Sequence, residues 1–267
     1  MKIYKDINIR NSLRKVGLKK NDIIYINPEI YKFGKLFEAK NKNDYFGIFF
    51  KNINKIIGKN GTIVANSYTF QTLRYNKSFI YEKTISSSGK FSEYIRKNKK
   101  SLRSHPPVFS VTAYGKYKNY ICKNNSLNNY GNNSPYQKFL SLNGKILNLG
   151  MGPWLSPFIH VAEMLAGVPY FYNKFTKVNY YRKNKKINKY FSSYVRFLNL
   201  KLMYDYKKLK KKLLENKVIK SAPLGSSYVH LLNAREYVDT ILDLLDKDQF
   251  ALLKKAPNFK KGRIPFG

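Results

Sequence analysis

Helix-type and strand-type hydrophobic patterns alternate along the first 150 residues, and this alternation restricts the fold more than any other feature. Short apolar runs typical of strands occur at residues 23–27, 62–66 and 145–150. Between the first two runs, apolar residues recur at helical spacing over residues 46–57 and stop before Gly58. Strands that alternate with helices assemble into a sheet covered on both faces. The pattern therefore predicts an α/β fold, a three-layer α/β/α sandwich.

The later part of the chain changes character. Residues 168–200 are rich in aromatic and β-branched side chains and predict consecutive antiparallel strands, so we expect a mixed β-sheet. A lysine-rich helix is expected within residues 204–217 and another helix at 235–248. No linker rich in Pro, Gly or Ser separates these parts. The sequence therefore predicts a single domain over residues 1–267.

Length and composition limit the class of protein. The 267 residues are 43% hydrophobic, which is enough to bury a full core. The chain has no apolar run long enough to span a membrane, and its first residues lack the apolar centre of a signal peptide. We therefore expect no membrane span and a cytoplasmic location. The single cysteine, Cys122, excludes an internal disulfide and fits a reducing compartment.

The net charge is extreme, because 51 Lys and Arg residues stand against 15 Asp and Glu residues, a formal net charge of +36. Such a charge suggests nucleic acid or an anionic membrane surface. However, the lysines are spread through every segment together with Asn, Ile, Tyr and Phe, whose codons are rich in A and T. Genome composition then explains most of the charge, and residues 204–217 predict a surface helix with a solvated lysine face. A non-catalytic nucleic-acid-binding protein stays an alternative, although no specific nucleic-acid motif is present.

Five short motifs occur in the order typical of one enzyme family. They are GTIVANSYTF (61–70), TISSSGKFSEYIR (84–96), RSHPPVFSVTAYG (103–115), NSPYQKFLSLNGKILNLGMG (133–152) and HVAEMLAGVPY (160–170). In order and spacing this set resembles the aminoglycoside 3-N-acetyltransferase family. The resemblance covers about residues 10–175 well and the C-terminal third weakly. We therefore expect a family-like core at residues 1–175, with residues 176–267 packed on it as additional strands and helices.

The resemblance implies transfer of an acetyl group from acetyl-CoA to a primary amine on a sugar, and a three-layer fold with a mixed sheet. The chain departs from the family pattern at two places. It has Asn27-Pro28-Glu29 where the family usually has a hydroxyl residue, and Asn66-Ser67 where the family commonly has Pro-Thr. These departures predict an acceptor pocket different from that of an aminoglycoside enzyme. The change at residues 27–29 also leaves open an inactive family member that serves as a scaffold.

His160 and Glu163 form the candidate catalytic pair. We expect Ser156 as the N-cap of a short helix, Pro157 as its first residue and Gly167 just past its end, which places the pair on one face. A neutral histidine can accept a proton from an attacking amine, and a carboxylate can fix its tautomer and support the imidazolium. The resemblance assigns catalysis to the same pair. The alternative is a structural pair on a buried helix.

The sequence predicts no metal site. The chain has three histidines, His105, His160 and His230, and their spacing from each other and from Cys122 matches no zinc motif. Cys122 has no histidine near it in sequence, which argues against an acyl-cysteine mechanism. If His160 is not the base, His105 is the next candidate.

Several hydroxyl, aromatic and cationic residues are candidates for ligand contact. Pro106-Pro107 predicts a stiff, extended wall for the pantetheine arm of CoA. The predicted cofactor-binding residues are Arg103, Ser104, Ser110, Ser87 and Ser88, and the predicted substrate-binding residues are Tyr68 and Thr69. For each serine, a role in a turn or a cap is an equally good interpretation.

The charge also bears on the acceptor. Aminoglycosides are polycations, and a protein with 15 acidic residues and a net charge of +36 repels them. We therefore expect an anionic small-molecule amine, a nucleotide-linked or glycan-precursor amino sugar of surface-polysaccharide biosynthesis. The alternative is an aminoglycoside, as in antibiotic resistance. The sequence leaves open the sugar, the amine position, the length of the acyl group and the oligomeric state.

Overall fold

The computed structural model describes residues 2–259. In chain order, its strands are β1 (Ile3–Tyr4), β2 (Ile23–Pro28), β3 (Lys35–Leu36), β4 (Thr62–Asn66), β5 (Phe79–Ile80), β6 (Leu102–Arg103), β7 (Val111–Gly115), β8 (Lys145–Leu149), β9 (Phe171–Lys177), β10 (Tyr180–Arg182), β11 (Lys185–Ile187), β12 (Tyr190–Arg196), β13 (Lys220–Leu224) and β14 (Ser227–Asn233). Its helices are α1 (Asp6–Lys15), α2 (Lys42–Ile57), α3 (Phe70–Arg74), α4 (Lys90–Lys97), α5 (Lys118–Cys122), α6 (Pro135–Ser141), α7 (Phe158–Leu165), α8 (Lys207–Glu215) and α9 (Ala234–Lys247).

Seven of these strands form one mixed sheet in the order β13-β14-β8-β2-β4-β7-β6. The three central strands, β8, β2 and β4, run parallel, and the pairs toward both edges are antiparallel. Alternate side chains of β2 enter two different cores: Tyr25 packs on one face of the sheet, and Ile24 and Ile26 pack on the other. Helices α1, α2 and α4 cover one face, and α5 to α9 cover the other. The predicted α/β class, three-layer sandwich and mixed sheet are confirmed.

Helix ends follow the local chemistry of the sequence. The side chain of Asn41 accepts hydrogen bonds from the backbone N–H groups of Asn43 and Asp44, so α2 begins several residues before the apolar pattern does. The helix ends at Ile57, and its C-cap is Gly58, whose φ is +68°. The predicted cap of α6 is also present, because the Ser134 Oγ accepts from the N–H of Gln137 at 3.2 Å.

The start of α7 differs from the prediction. Its first residue is Phe158 and its N-cap is Pro157, one position later than expected. The Ser156 Oγ lies 3.5 Å from the N–H of Phe158, so Ser156 contributes only a weak bond. The carbonyls of Ser156 and Pro157 instead accept from the N–H groups three residues later, a tighter turn that leads into the helix. The helix ends as expected, with Gly167 at φ +64°.

The prediction for residues 168–200 is right about the strands but wrong about where they pair. Strands β9 and β12 form a separate antiparallel sheet, while β10 pairs with β11 and, in parallel, with β5. The antiparallel edges of the main sheet are the pair β6–β7 and the hairpin β13–β14. The hairpin was not predicted from the sequence. Pro223 and Gly225 make that segment look like a loop. Proline is tolerated in β13 because it is an edge strand.

Within residues 2–259 no helix combines the length and apolarity that a membrane crossing needs. Residues 260–267, the end of the predicted C-terminal addition, lie outside the described residues.

Candidate active site

Three asparagines meet where the parallel strands end, the edge at which open α/β sheets commonly bind ligands. The Nδ2 of Asn27 at the end of β2 donates to the Oδ1 of Asn148 in β8 at 2.8 Å, and the Nδ2 of Asn66 lies 3.5 Å from the Oδ1 of Asn27. The Nδ2 of Asn148 also donates to the carbonyl of Leu155 at 3.1 Å. The segment before α7 is therefore tied to the strand ends, and α7 starts at this edge.

His160 and Glu163 lie on one face of α7, and their side chains are in contact. The Nδ1 of His160 is 2.7 Å from the Oε2 of Glu163. The histidine side chain is 30% exposed, whereas the glutamate side chain is fully buried. If Nδ1–H donates to the carboxylate, Nε2 keeps its lone pair and is the nitrogen available to a ligand. The structure therefore brings the predicted pair together in the arrangement that a general base requires.

Three tyrosines complete the surroundings of Glu163. The hydroxyls of Tyr204 and Tyr170 donate to its Oε1 at 2.6 and 3.1 Å, and the hydroxyl of Tyr194 donates to its backbone carbonyl at 3.2 Å. Burial, and then the charge of Glu163, raise the pKa of Tyr170 and Tyr204 well above the usual tyrosine value. Both phenols therefore stay protonated and act as donors, which lets a carboxylate sit in the protein interior.

A cleft of about 560 Å³ opens in front of His160, a size typical of small-molecule sites. Half of its lining is aromatic: Phe70, Phe109, Phe171, Tyr172, Tyr194, Tyr204 and Tyr206. The lining also includes three cationic residues from three different elements: Arg74, Lys174 and Arg196. Among the described residues that line the cleft there is no carboxylate. The site thus combines a base, apolar walls and positive charge.

The predicted CoA-binding residues of the RSHPPVFS segment lie in the interior and do not line the cleft. Arg103 is 4% exposed, and its guanidinium donates to the Oγ of Ser110 at 3.0 Å and to the carbonyl of Ser67 at 2.6 Å. Burial lowers the pKa of Arg103 to about 10. The Oγ of Ser104 accepts from the N–H of Val111 at 2.9 Å. These contacts hold the loop at residues 104–110 in place; direct contact of Arg103, Ser104 or Ser110 with CoA stays a prediction.

The remaining predicted ligand-contact residues, Ser87, Ser88, Tyr68 and Thr69, lie close together, outside the lining of the cleft. The hydroxyl of Ser88 accepts from the N–H of Tyr68 at 3.0 Å, and the N–H of Ser87 donates to the carbonyl of Tyr68 at 2.7 Å. Thr69 is fully buried, and Ser87 is exposed. None of the four lines the cleft, but Phe70, the next residue in the chain, does. Their ligand-binding roles also stay predictions.

The two remaining histidines lie outside the cleft. The Nε2 of His105 accepts from Arg182 at 2.9 Å, and burial, then the charge of Arg182, lower its pKa. His230 lies opposite Ser221 in the β13–β14 hairpin, and burial lowers its pKa to about 4. Cys122 is fully buried at the end of α5. In the part of the chain that the structure describes, no three His, Cys, Asp or Glu residues come together as metal ligands would.

A sequence model of the aminoglycoside 3-N-acetyltransferase family matches residues 48–246. The chain belongs to this family. The resemblance drawn from the five motifs is confirmed, and so is the prediction of an N-acyltransferase enzyme. Family membership also supports acetyl-CoA as the acyl donor. No curated protein sequence matches the chain significantly.

Solved structures of aminoglycoside acetyltransferases share the fold. AAC-IIIb in a binary complex with CoASH is 18% identical, with a TM-score of 0.77 over 96% of this chain and 100% of that chain. A histidine-to-alanine mutant of AAC(3)-IVa in complex with a gentamicin is 19% identical, with a TM-score of 0.76 over 96% and 93%. The YokD protein from Bacillus subtilis is 18% identical, with a TM-score of 0.74 over 91% and 94%. At these identities the comparison establishes the fold alone.

Sequence reasoning missed several members of the site in this acetyltransferase-family chain. Tyr170 lies within the quoted motif, seven residues after Glu163, and could have been proposed as its partner. Tyr204 is 41 residues from Glu163 in the chain, and no local pattern connects them. Arg74 and Arg196 belong to segments that were assigned no function. Tyr204, Arg74 and Arg196 come together with His160 only in the tertiary fold, where all of them line one cleft.

Proposed function

We propose that this chain transfers an acetyl group from acetyl-CoA to a primary amine of a small-molecule acceptor, with His160 as the general base. The observation that carries the proposal is the contact between His160 and the buried Glu163 at the wall of an open cleft, in a member of an acetyltransferase family. The proposal places the reaction in the cytoplasm, where acetyl-CoA is available, in agreement with the location predicted from the sequence.

The geometry defines what each residue does. Acetyl-CoA supplies the acyl group as a thioester, and the apolar walls of the cleft fit its pantetheine arm while His160 Nε2 stays accessible. As the acceptor nitrogen bonds to the acyl carbon, Nε2 takes the proton from that nitrogen. The Nδ1–H bond to Glu163 orients the ring and supports its positive charge. As the bond between the acyl carbon and sulfur breaks, Nε2 returns the proton to the leaving sulfur, which gives the amide and free CoA.

The comparisons favour an aminoglycoside as acceptor over the glycan-precursor sugar predicted from the sequence. One relative was solved in complex with a gentamicin, and nothing in the comparisons supports a place in surface-polysaccharide biosynthesis. A gentamicin-type amine is therefore the first acceptor to test. An anionic amino sugar is the second candidate. One specific observation favours it, the absence of any carboxylate among the described residues that line the cleft.

The test uses donor binding and turnover on the same preparations. Acetyl-CoA should raise the melting temperature, since a ligand that binds only the native state stabilises it. His160→Ala should keep this shift and lower kcat, measured as release of the CoA thiol, by about 10²–10⁴. His230→Ala is the matched control, because His230 lies outside the cleft, and it should keep normal turnover. An unchanged melting temperature at millimolar acetyl-CoA, or normal turnover of a folded His160→Ala variant, would contradict the proposal.

A further inference from the structure

Arginine is more frequent among the cationic residues that line the His160 cleft than among those of the whole chain. Only 9 of the 51 cationic residues of the chain are arginine, and two of these, Arg74 and Arg196, line the cleft that contains His160. A composition that favours A and T explains lysine but not arginine. Arginine differs from lysine in its planar, forked donor set, which binds phosphate and carboxylate groups through two parallel hydrogen bonds. The composition of the cleft therefore calls for a chemical explanation.

Among the described residues, neither of these two arginines is paired with a carboxylate. Arg10 and Arg96 form ion pairs with Asp6 and Glu93. By contrast, neither Arg74 nor Arg196 has an ion-pair or side-chain hydrogen-bond partner within residues 2–259. The guanidinium of Arg74 lies over the ring of Phe70, 5.3 Å from its centroid, which keeps all its N–H donors available. Arg196 is the last residue of β12 and is exposed.

The acid in contact with His160 cannot substitute for an external anion. Glu163 is fully buried behind His160, and its oxygens are already taken by His160, Tyr170 and Tyr204. A polycationic acceptor would therefore approach two guanidinium groups whose charge no carboxylate within residues 2–259 offsets. An acceptor with a negative group would approach the same two charges favourably.

We propose that Arg74 and Arg196 bind a phosphate or carboxylate group of the acceptor and so direct its amine to the Nε2 of His160. The substrate class is then an amino sugar, or a similar small amine, that carries an anionic group. This inference rests on the proposed function, because it concerns the acceptor of the same reaction. The two arginines then act as specificity-determining residues for the acceptor.

The phosphates of CoA have the same chemistry as the proposed anionic group, and the experiment separates the two sources. Glucosamine and glucosamine 6-phosphate form a matched pair of acceptors that differ only in the phosphate. In the wild type, kcat/KM should be at least tenfold higher for the phosphate ester. Arg74→Gln and Arg196→Gln should each lower this preference about tenfold, the usual effect of losing a charge-assisted hydrogen bond, and leave the affinity for acetyl-CoA unchanged.

The double variant Lys51→Gln/Lys99→Gln is the charge-matched control, because it removes two exposed cations that do not line the cleft. It should keep the wild-type preference. Equal kcat/KM for the two sugars in the wild type would overturn the inference. So would arginine variants that weaken acetyl-CoA binding while the acceptor preference stays the same, since the arginines would then serve the donor.

A binding measurement keeps this inference separate from the proposed function. Glucose 6-phosphate has the anionic group but no amine, so its dissociation constant, measured by calorimetry, does not depend on turnover. It should bind the wild type at least tenfold more tightly than either arginine variant. If no amine, gentamicin included, releases the CoA thiol, the proposed function fails while this binding result still decides the anion site. Equal dissociation constants of glucose 6-phosphate for the wild type and the arginine variants would contradict the anion site, even if acetylation occurs.

Discussion

Glu163 is the residue on which the site depends, because a buried charge is tolerated only while its hydrogen-bond partners are in place. Its two carboxylate oxygens have three side-chain donors: His160 on Oε2, and Tyr170 and Tyr204 on Oε1. The shortest of the three bonds, at 2.6 Å, comes from Tyr204. The orientation of the His160 imidazole therefore depends on a tyrosine that reaches α7 from the loop between β12 and α8.

We expect Tyr204→Phe to lower the free energy of unfolding by about 1.5–3 kcal/mol, the usual value of a hydrogen bond to a charged group. The same change should lower kcat by less than His160→Ala does, since the base itself is kept. Urea unfolding and thiol release on the same preparations measure both effects. Tyr206→Phe is the control, because Tyr206 stacks on Tyr204 and its hydroxyl has no side-chain hydrogen bond within the described residues. Equal losses of stability in the two variants would show that the bond to Glu163 contributes nothing.

At the residue scale, sequence reasoning found the parts of the site that are local in the chain. The spacing of His160 and Glu163 on one helix was sufficient to predict their contact, because residues three apart share a helix face. Arg103 and Ser110 were also recognised as a motif, but the sequence could not show that their side chains bind each other in the interior. Whether a polar side chain points at a ligand or at its own backbone depends on contacts between distant elements.

At the element scale, the central sheet depends on the close approach of β4 and β7. Gly115 at the end of β7 has φ +115°, and a Cβ there would lie 2.2 Å from the carbonyl oxygen of Gly61. Only glycine permits this approach, since both the backbone angle and the space exclude a side chain. The other positive-φ glycine of interest is Gly167 after α7, where a Cβ would meet nothing within 4 Å.

The comparison of these two glycines gives a matched prediction. Gly115→Ala should lower the free energy of unfolding by about 3 kcal/mol or more, because backbone strain adds to a steric clash. Gly167→Ala should cost only about 1 kcal/mol, because it adds strain without a clash. Urea unfolding of both variants, with equal slopes, provides the measurement. If the two variants lose the same free energy, the contact between Gly115 and Gly61 does not limit the pairing of β4 with β7.

The elements that the sequence predicted well are those whose pattern is decided locally. Strands β2, β4 and β8 are central and covered on both faces, so each is a short, mostly apolar run. The hairpin β13–β14 was missed because Pro223 and the turn at Gly225-Ser226 are also typical of loops. The pairing of β9 with β12, and of β10 with β5, could not be predicted, since partner choice depends on the whole fold and not on strand propensity.

At the scale of the whole molecule, the net charge of +36 acts on every charged ligand before it reaches the cleft. The lysines are spread over the chain, so their field has no single direction, but its sign is positive on average. The cleft has the same positive sign, because Arg74, Lys174 and Arg196 line it and no described lining residue is acidic. The molecule therefore opposes the approach of a polycation and favours that of an anion, whatever contacts form afterwards.

This field predicts opposite effects of salt on the two candidate acceptor classes. Between about 10 and 100 mM NaCl the screening length falls from about 30 to about 10 Å, so both repulsion and attraction weaken. The value of kcat/KM should rise with salt for gentamicin and fall for glucosamine 6-phosphate. Raising the osmolality equally with an uncharged sugar alcohol is the control and should change neither. Slopes of the same sign for both acceptors would mean that local contacts outweigh the field. A rise for gentamicin to values above those of the phosphate ester would favour the aminoglycoside acceptor, since the remaining local contacts would then prefer it.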